Sequence, residues 1–234
     1  MPKSETPSII EATALTRIYS LGDSSVIGLN AIDLAIAAGQ LVVVKGNSGS
    51  GKSTLLALLS GLDRPSSGEL KVAGHDLIKT PQAALTRFRR EVVGMVFQNF
   101  NLLPTLSVLE NVCLPALLAG GSLGKIEPKA IDFLQWLGLG GRLTHQPAQL
   151  SGGEMQRTAI ARALINDPAI ILADEPTGNL DSRSGHSVVE LLSELNRRWN
   201  RTVVIATHSN LADPVATLTI CLKDGNITDT ICDG

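Results

Sequence analysis

The stretch LVVVKGNSGSGKS, residues 41–53, constrains this chain more than any other segment. Its first part, 41–46, is a continuous apolar run with no polar alternation. That is the pattern of a strand buried on both faces. Its second part, Gly46-Asn47-Ser48-Gly49-Ser50-Gly51-Lys52-Ser53, fits G-x-x-x-x-G-K-[ST], and a helical pattern over 52–60 follows it. A glycine-rich turn alone would carry no ligand, but strand, loop and helix in this order have a use. Glycines let the backbone curl so that its N–H groups converge on an anion. The positive end of the helix dipole points at the same place. Lys52 can neutralise β- and γ-phosphate charge, and the Ser53 hydroxyl can ligate Mg²⁺. The candidate phosphate-binding set is residues 46–53 together with Thr54.

Three further short apolar runs, 92–97, 170–173 and 203–206, share the buried-strand character. Helical patterns lie between them, such as 182–198 with Val188, Val189, Leu191, Leu192 and Leu195 on one side. Strands alternating with helices imply an α/β fold with a mostly parallel sheet. Over 9–36 the apolar residues roughly alternate (Ile32, Leu34, Ile36), which predicts antiparallel strands. Between 98 and 163 buried-strand runs vanish and helical signals appear at 107–118, 127–137 and 152–164. The expected organisation is one domain, 1–234, in which 1–97 and 164–234 form the core and an N-terminal β subdomain, and 98–163 an inserted α-helical subdomain. Residues 1–7 read as a loose tail.

Composition narrows the partners. A net charge of -2 gives no electrostatic case for nucleic acid. The longest apolar candidate, 34–44, is broken by Gly39 and Gln40 and falls short of the ~18 residues of a membrane span. The polar start MPKSETPS is no signal peptide, so any span is expected from another chain. Cys113, Cys221 and Cys232 are far apart and odd in number, which predicts reduced thiols: two buried, one in a tail, in a cytosolic protein.

The apolar run 170–173 leads into Asp174-Glu175. Open α/β sheets bind ligands at the carboxyl ends of their strands. Asp174 there is a candidate Mg²⁺ ligand, through water, and Glu175 a candidate base for water attacking a γ-phosphate. Residues 150–157, LSGGEMQR, offer another anion cradle, in which Ser151 resembles an N-cap and Gly152 and Gly153 permit close backbone approach. A second cradle in one chain is redundant unless it closes over a triphosphate held by a second copy.

At this point the sequence resembles the ATP-binding cassette (ABC) ATPases over nearly its whole length, with the motifs in the family's order. GNSGSGKS is similar to the Walker A loop, IILADE to the Walker B strand and LSGGEMQR to the signature motif. The resemblance implies a P-loop NTPase (RecA-like) core and ATP and Mg²⁺ as ligands. It makes Gln98 a Q-loop residue touching Mg²⁺, His208 a switch histidine at the γ-phosphate, and Asp181 of Asn179-Leu180-Asp181 a dimer-interface residue. Tyr19, the only tyrosine, lies where the family places a ring stacked on adenine. Ser151, Gly152 and Gly153 would act in trans, in a homodimer closed by ATP. The other partner implied is an integral membrane permease, met at the inner face of the cytoplasmic membrane by the lobe around 98–115, with Phe100, Leu102, Leu103 and Leu106 as a candidate groove.

DEPTGNLD and VFQNFNLLPTLSVLENVCLP are similar to ATPases of lipoprotein-release, macrolide-efflux and antimicrobial-peptide export systems, which implies export or envelope force transmission. A cell-division type signalling to a periplasmic hydrolase is the alternative. Repair-type ABC ATPases insert a long coiled coil that is absent from this sequence, and ribosomal types usually fuse two cassettes. Lys45 departs from the family's apolar habit at its position, and the sequence gives it no role. His75, His145 and His186 are expected at the surface.

Overall fold

A computed structural model describes residues 7–22 and 24–228; the expected tail before them and Cys232 lie outside the described residues. The alternating segment forms a hairpin of β1 (Ser8–Leu21) and β2 (Ser24–Ala37). Ile10, Ala12 and Leu15 of β1 and Leu29, Ile32, Leu34 and Ile36 of β2 are buried, as a period of two requires of a sheet with one covered face. All five residues of β3 (Leu41–Lys45) are buried. Helix α1 (Lys52–Leu59) follows and buries Leu55, Leu56, Leu58 and Leu59. Then come β4 (Ser67–Val72), β5 (His75–Asp76), α2 (Gln82–Glu91) and β6 (Val93–Phe97). Residues 98–163 hold α3 (Val108–Leu118), α4 (Leu123–Trp136) and α5 (Gly152–Leu164). The chain returns to the sheet with β7 (Ile170–Asp174), α6 (Ser182–Trp199), β8 (Thr202–Thr207), a 3-10 segment (Asn210–Val215), β9 (Leu218–Lys223) and β10 (Asn226–Thr228).

Among the described residues the strands make two sheets. One is antiparallel in the order β2-β1-β4-β5; the other runs β10-β9-β3-β8-β7-β6 and is parallel except for β10. Neighbouring residues of the central strands feed opposite cores. Val43, Ile171, Ala173, Val203 and Ile205 pack with the helices α3 to α6. Val42, Val44, Ile170, Leu172 and Val204 pack with α1, α2 and the antiparallel sheet. Each Val, Ile or Leu among them contributes about 1.5–3 kcal/mol on burial, which is why these strands read as unbroken apolar runs. The α/β class and the antiparallel and helical parts expected from the sequence are thus present.

Two local differences stand out. Helix α4 begins at Leu123 behind Ser122, not at 127, and carries Pro128 inside it. Cys113 is buried and free, whereas Cys221 is disulfide-bonded, against the expectation of reduced thiols throughout. No helix of the described residues is long and apolar enough to cross a membrane.

Strand order sets the chemistry side by side. Lys45 pairs with Thr207, Asp174 with Ala206, and Phe97 with Asp174. The carboxyl ends of β3, β8, β7 and β6 therefore deliver Gly46, His208, Glu175 and Gln98 along one edge of the sheet.

Candidate functional site

The loop between β3 and α1 is built around glycines that no other residue can replace. Gly51, the N-cap of α1, has φ 108°, and a Cβ there would lie 2.4 Å from the Gly28 carbonyl. A Cβ on Gly46 would lie 2.2 Å from the Leu222 carbonyl. Lys52 starts α1 and is buried. Its Nζ donates to the carbonyls of Gly46 at 2.6 Å and Asn47 at 3.1 Å, and lies 3.7 Å from Glu175 Oε1. The ammonium is thereby fixed at the floor of the loop.

Glu175 leaves β7 with φ 45°, a left-handed backbone that is strained for a residue with a Cβ. Its N–H donates to Ala206 O at 2.8 Å and its carbonyl accepts from Gly178 N at 3.0 Å. Thr207 Oγ1 donates to Glu175 Oε2 at 3.0 Å, and His208 Nδ1 lies 3.0 Å from Oε1. The carboxylate is 14% exposed and the imidazole 67%. Next to it, Asp174 Oδ1 accepts from Ser53 Oγ at 3.1 Å. Burial raises the Asp174 pKa, opposed by the Ser53 bond and abetted by the Glu175 charge.

These groups open on one cleft of about 680 Å³, inside the ~300–1,000 Å³ usual for ligand sites. The cleft is lined by Lys52, Ser53, Thr54, Gln98, Glu175 and His208 at one end, and by Tyr19, Val26, Ile27 and Gly28 at the other. Asp174 adjoins it through Ser53. Gln98 Nε2 donates to Asn179 Oδ1 at 3.4 Å, and Asn179 Nδ2 donates to Gln98 O at 3.1 Å. Tyr19 Oη donates to Asp63 Oδ2 at 3.0 Å, the Arg17 guanidinium also donates to Asp63 Oδ2, and the guanidinium carbon stands 4.4 Å from the Tyr19 ring centroid.

The second cradle stands apart. Ser151 caps α5 in a full capping box: Glu154 N donates to Ser151 Oγ at 3.3 Å and Ser151 N to Glu154 Oε2 at 2.8 Å. Arg142 Nε holds Glu154 Oε1 at 2.9 Å, and these bonds lower the Glu154 pKa to about 2, the Arg142 bond most. Neither Ser151 nor Gly152 nor Gly153 lines the 680 Å³ cleft. Asp181 is the N-cap of α6: Ser184 N donates to Asp181 Oδ1 at 3.0 Å and Ser184 Oγ to Oδ2 at 2.7 Å.

A second groove, of about 510 Å³, separates α2 and β6 from α3 and α5; Arg89, Arg90, Phe97, Leu114, Leu118 and Arg162 line it. Of the run proposed from sequence, Phe100, Leu102, Leu103 and Leu106 do not line it. Phe100 turns instead toward Gly152, and Leu103 N donates to the buried Asn111 Oδ1 at 2.8 Å, which ties this loop to α3.

Sequence reasoning missed Thr207, Asp63 and the partners of Lys45. The first ends an apolar strand just before His208 and could have been singled out there. The others lie tens to hundreds of residues from what they touch and leave no local pattern.

The ABC transporter family model matches residues 29–178. An uncharacterized ABC transporter ATP-binding protein of Thermotoga maritima is 42% identical over 219 residues, covering 94% of this chain and 93% of that protein. The lipoprotein-releasing system ATP-binding protein LolD of Geobacter metallireducens is 43% identical over 220 residues, covering 94% and 98%. The macrolide export ATP-binding/permease protein MacB of Sodalis glossinidius is 47% identical over 229 residues; this chain spans about a third, 35%, of its length. Among solved structures, the dimeric post-hydrolysis state of the ATP-binding cassette MJ0796, bound to ADP and Pi, superposes with TM-score 0.88 at 38% identity, covering 96% of this chain and 99% of that one. With near-full-length relatives of this kind and a family model running from β2 past Glu175, the chain belongs to the ABC transporter family, among its ATP-binding ATPases.

Proposed function

We propose that this chain powers a membrane transporter of the export type, or transmits force across the envelope, by closing as a homodimer on two ATP molecules and hydrolysing them. The observation that carries this reading is the separation of two anion cradles. Lys52, Ser53, Glu175 and His208 converge on one cleft, which Asp174 adjoins through Ser53, while the capped start of α5 lies outside it. Each cradle holds half a phosphate site, so two chains head to tail complete two sites.

In each site the loop 46–53 and Lys52 bind the phosphates, with Thr54 beside them, and the Tyr19 end of the cleft takes the base. The donor set fits a magnesium ion: a hydroxyl and a carboxylate, Ser53 and Asp174, already share a hydrogen bond, and Mg²⁺ favours few protein oxygens with water and phosphate completing its shell. Gln98 would be the third protein contact. Bound there, Mg²⁺ would neutralise charge on the β- and γ-phosphates. Glu175, oriented by Thr207, accepts a proton from the attacking water, and His208 contacts the γ-phosphate. Ser151, Gly152 and Gly153 reach the same phosphates from the partner chain, with Asp181 at that interface.

The membrane permease docks at the 510 Å³ groove between α2 and β6 of the core and α3 and α5 of the helical subdomain, on the cytoplasmic side. Among the described residues Arg89, Arg90 and Arg162 donate there to backbone carbonyls and to Thr86, and none lining the groove is a carboxylate, so a segment with acidic side chains complements it. MacB joins an ATP-binding and a permease part by name, and LolD is named as the ATP-binding protein of a releasing system; both agree with an export reading.

Sedimentation tests the dimer. Glu175→Gln with Mg²⁺ and ATP should sediment as a dimer, and adding Ser151→Arg should return it to monomer. A Glu175→Gln chain that stays monomeric at high concentration with saturating nucleotide rejects the proposal.

A further inference from the structure

Lys45 ends β3 immediately before the phosphate loop, and its side chain is only 5% exposed. A buried ammonium needs partners, because desolvation without them is costly. Its partners are Asn210 Oδ1, in a short hydrogen bond, and Asp213 Oδ2 at 2.8 Å, both in the 3-10 segment that follows His208. The backbone of Lys45 is also the ladder partner of Thr207. One residue therefore grips the chain on both sides of His208: Thr207 through the sheet, Asn210 and Asp213 through the ammonium.

The imidazole between these anchors has little else to hold it. It is 67% exposed, and its described polar contact is the 3.0 Å approach to Glu175 Oε1. Around it, Ser209 N donates to Thr207 Oγ1 at 3.0 Å and Leu211 N to Ser209 Oγ at 3.3 Å. These local bonds shape the turn; His208 N also reaches Glu175 Oε2 at 3.4 Å, and Ala212 is buried in the helical core with Leu211 and Val215 packed against it. The Lys45 side chain adds the charged tie between this turn and the strand from which the phosphate loop springs.

We propose that Lys45 is a positioning residue for hydrolysis, locking the His208 segment to the root of the phosphate loop so that histidine and phosphates keep a fixed separation. The inference rests on the role given to His208 under the proposed function. Misplacement of a reacting group by about 1 Å can cost on the order of a hundredfold in rate. Nucleotide affinity, which the loop amides and Lys52 supply, has no such dependence on the turn after β8.

The test compares kcat for ATP hydrolysis and equilibrium ATP affinity of the full chain for Lys45→Met, Lys45→Arg, Asp213→Asn, His208→Ala and the double variant Lys45→Met/His208→Ala. Lys45→Met is expected to lower kcat about 10- to 100-fold with affinity within about twofold of the parent. Lys45→Arg recovers part of that loss, and in the His208→Ala background Lys45→Met adds nothing, because both act through one group. An undiminished kcat, an affinity falling in parallel with kcat, or a full Lys45→Met effect persisting without His208 would each overturn the proposal. Should Lys45→Met not fold, Asp213→Asn, at a 43% exposed side chain, tests the same ion pair and must lower kcat without touching affinity. If His208→Ala hydrolyses at the parent rate, the role given to His208 fails and this inference with it; if His208→Ala is slow and neither Lys45→Met nor Asp213→Asn is, the inference alone fails.

Discussion

Lys52 Nζ lies 3.7 Å from Glu175 Oε1, so the cation proposed to meet the phosphates and the carboxylate proposed to face the attacking water are near neighbours across the cleft floor. Glu175→Gln keeps an oxygen to accept from Thr207 and removes the negative charge. ATP binding should persist or tighten, because one repulsive charge is gone. Hydrolysis should slow by about 10²–10⁴-fold, the usual worth of a positioned base. Phosphate release under saturating ATP and equilibrium nucleotide binding, measured on the same preparation, separate the two effects.

Lys52→Ala acts on the opposite side of that pair. It removes the charge-assisted contacts expected with phosphate, each about 1.5–3 kcal/mol. ATP affinity should fall by at least about tenfold, read by titration with a fluorescent ATP analogue. The fold should survive, since α1 keeps its buried face of Leu55, Leu56, Leu58 and Leu59.

Why was so much of this arrangement legible in the sequence? The central strands β3, β7 and β8, and the edge strand β6 under its flanking helices, are covered on both faces, so burial writes itself as short apolar runs. Each of them ends at a chemical residue: Gly46, Gln98, Asp174 with Glu175, and His208. Helix α5 could be placed at Gly152 because Ser151 is a true cap. Helix α2 escaped notice because it buries only Leu85 and Phe88 and starts behind Pro81 with no side-chain cap. Strand β9 is the outer parallel strand and buries just Ile220 and Leu222, too few for a run. The hold of Lys45 on Asp213 crosses 168 residues of chain, and only folding brings those residues together.

The raised pKa of Asp174 gives the proposed metal use a pH dependence. Burial disfavours its charged form, so a proton competes with a cation for the carboxylate. A carboxyl raised in the folded state contributes stability below its unfolded pKa, and loses it as pH rises through the folded value. Metal binding has the reverse preference. The Mg²⁺ concentration needed for half-maximal ATPase activity should therefore climb as pH falls from neutral toward the carboxylate range. In Asp174→Asn that pH dependence should flatten while the basal requirement rises. Magnesium titrations of parent and variant across this range decide it.

Glu154 offers the opposite sign. Its pKa is lowered from 4.5 to about 2, first by the Arg142 bond and then by the Ser151 N–H, so its charged form stabilises the fold. That contribution is complete above about 4.5, the unfolded value, and disappears as pH falls through about 2. The Arg142 side chain is 45% exposed, and a surface ion pair alone is worth at most about 1 kcal/mol. The helix cap adds a similar amount, so Glu154→Ala should cost about 1 kcal/mol and lower Tm by about 2–4 °C at neutral pH. The gap in Tm between parent and variant should close as the pH is lowered below the unfolded carboxyl range. Glu154 also fixes the Ser151 backbone that the proposed dimer brings to a phosphate of the partner chain. The same substitution should therefore weaken ATP-driven dimerisation by more than its Tm shift implies, measured by sedimentation in the Glu175→Gln background. Equal dimer affinity with and without the Glu154 carboxylate would mean that the capping box serves α5 alone.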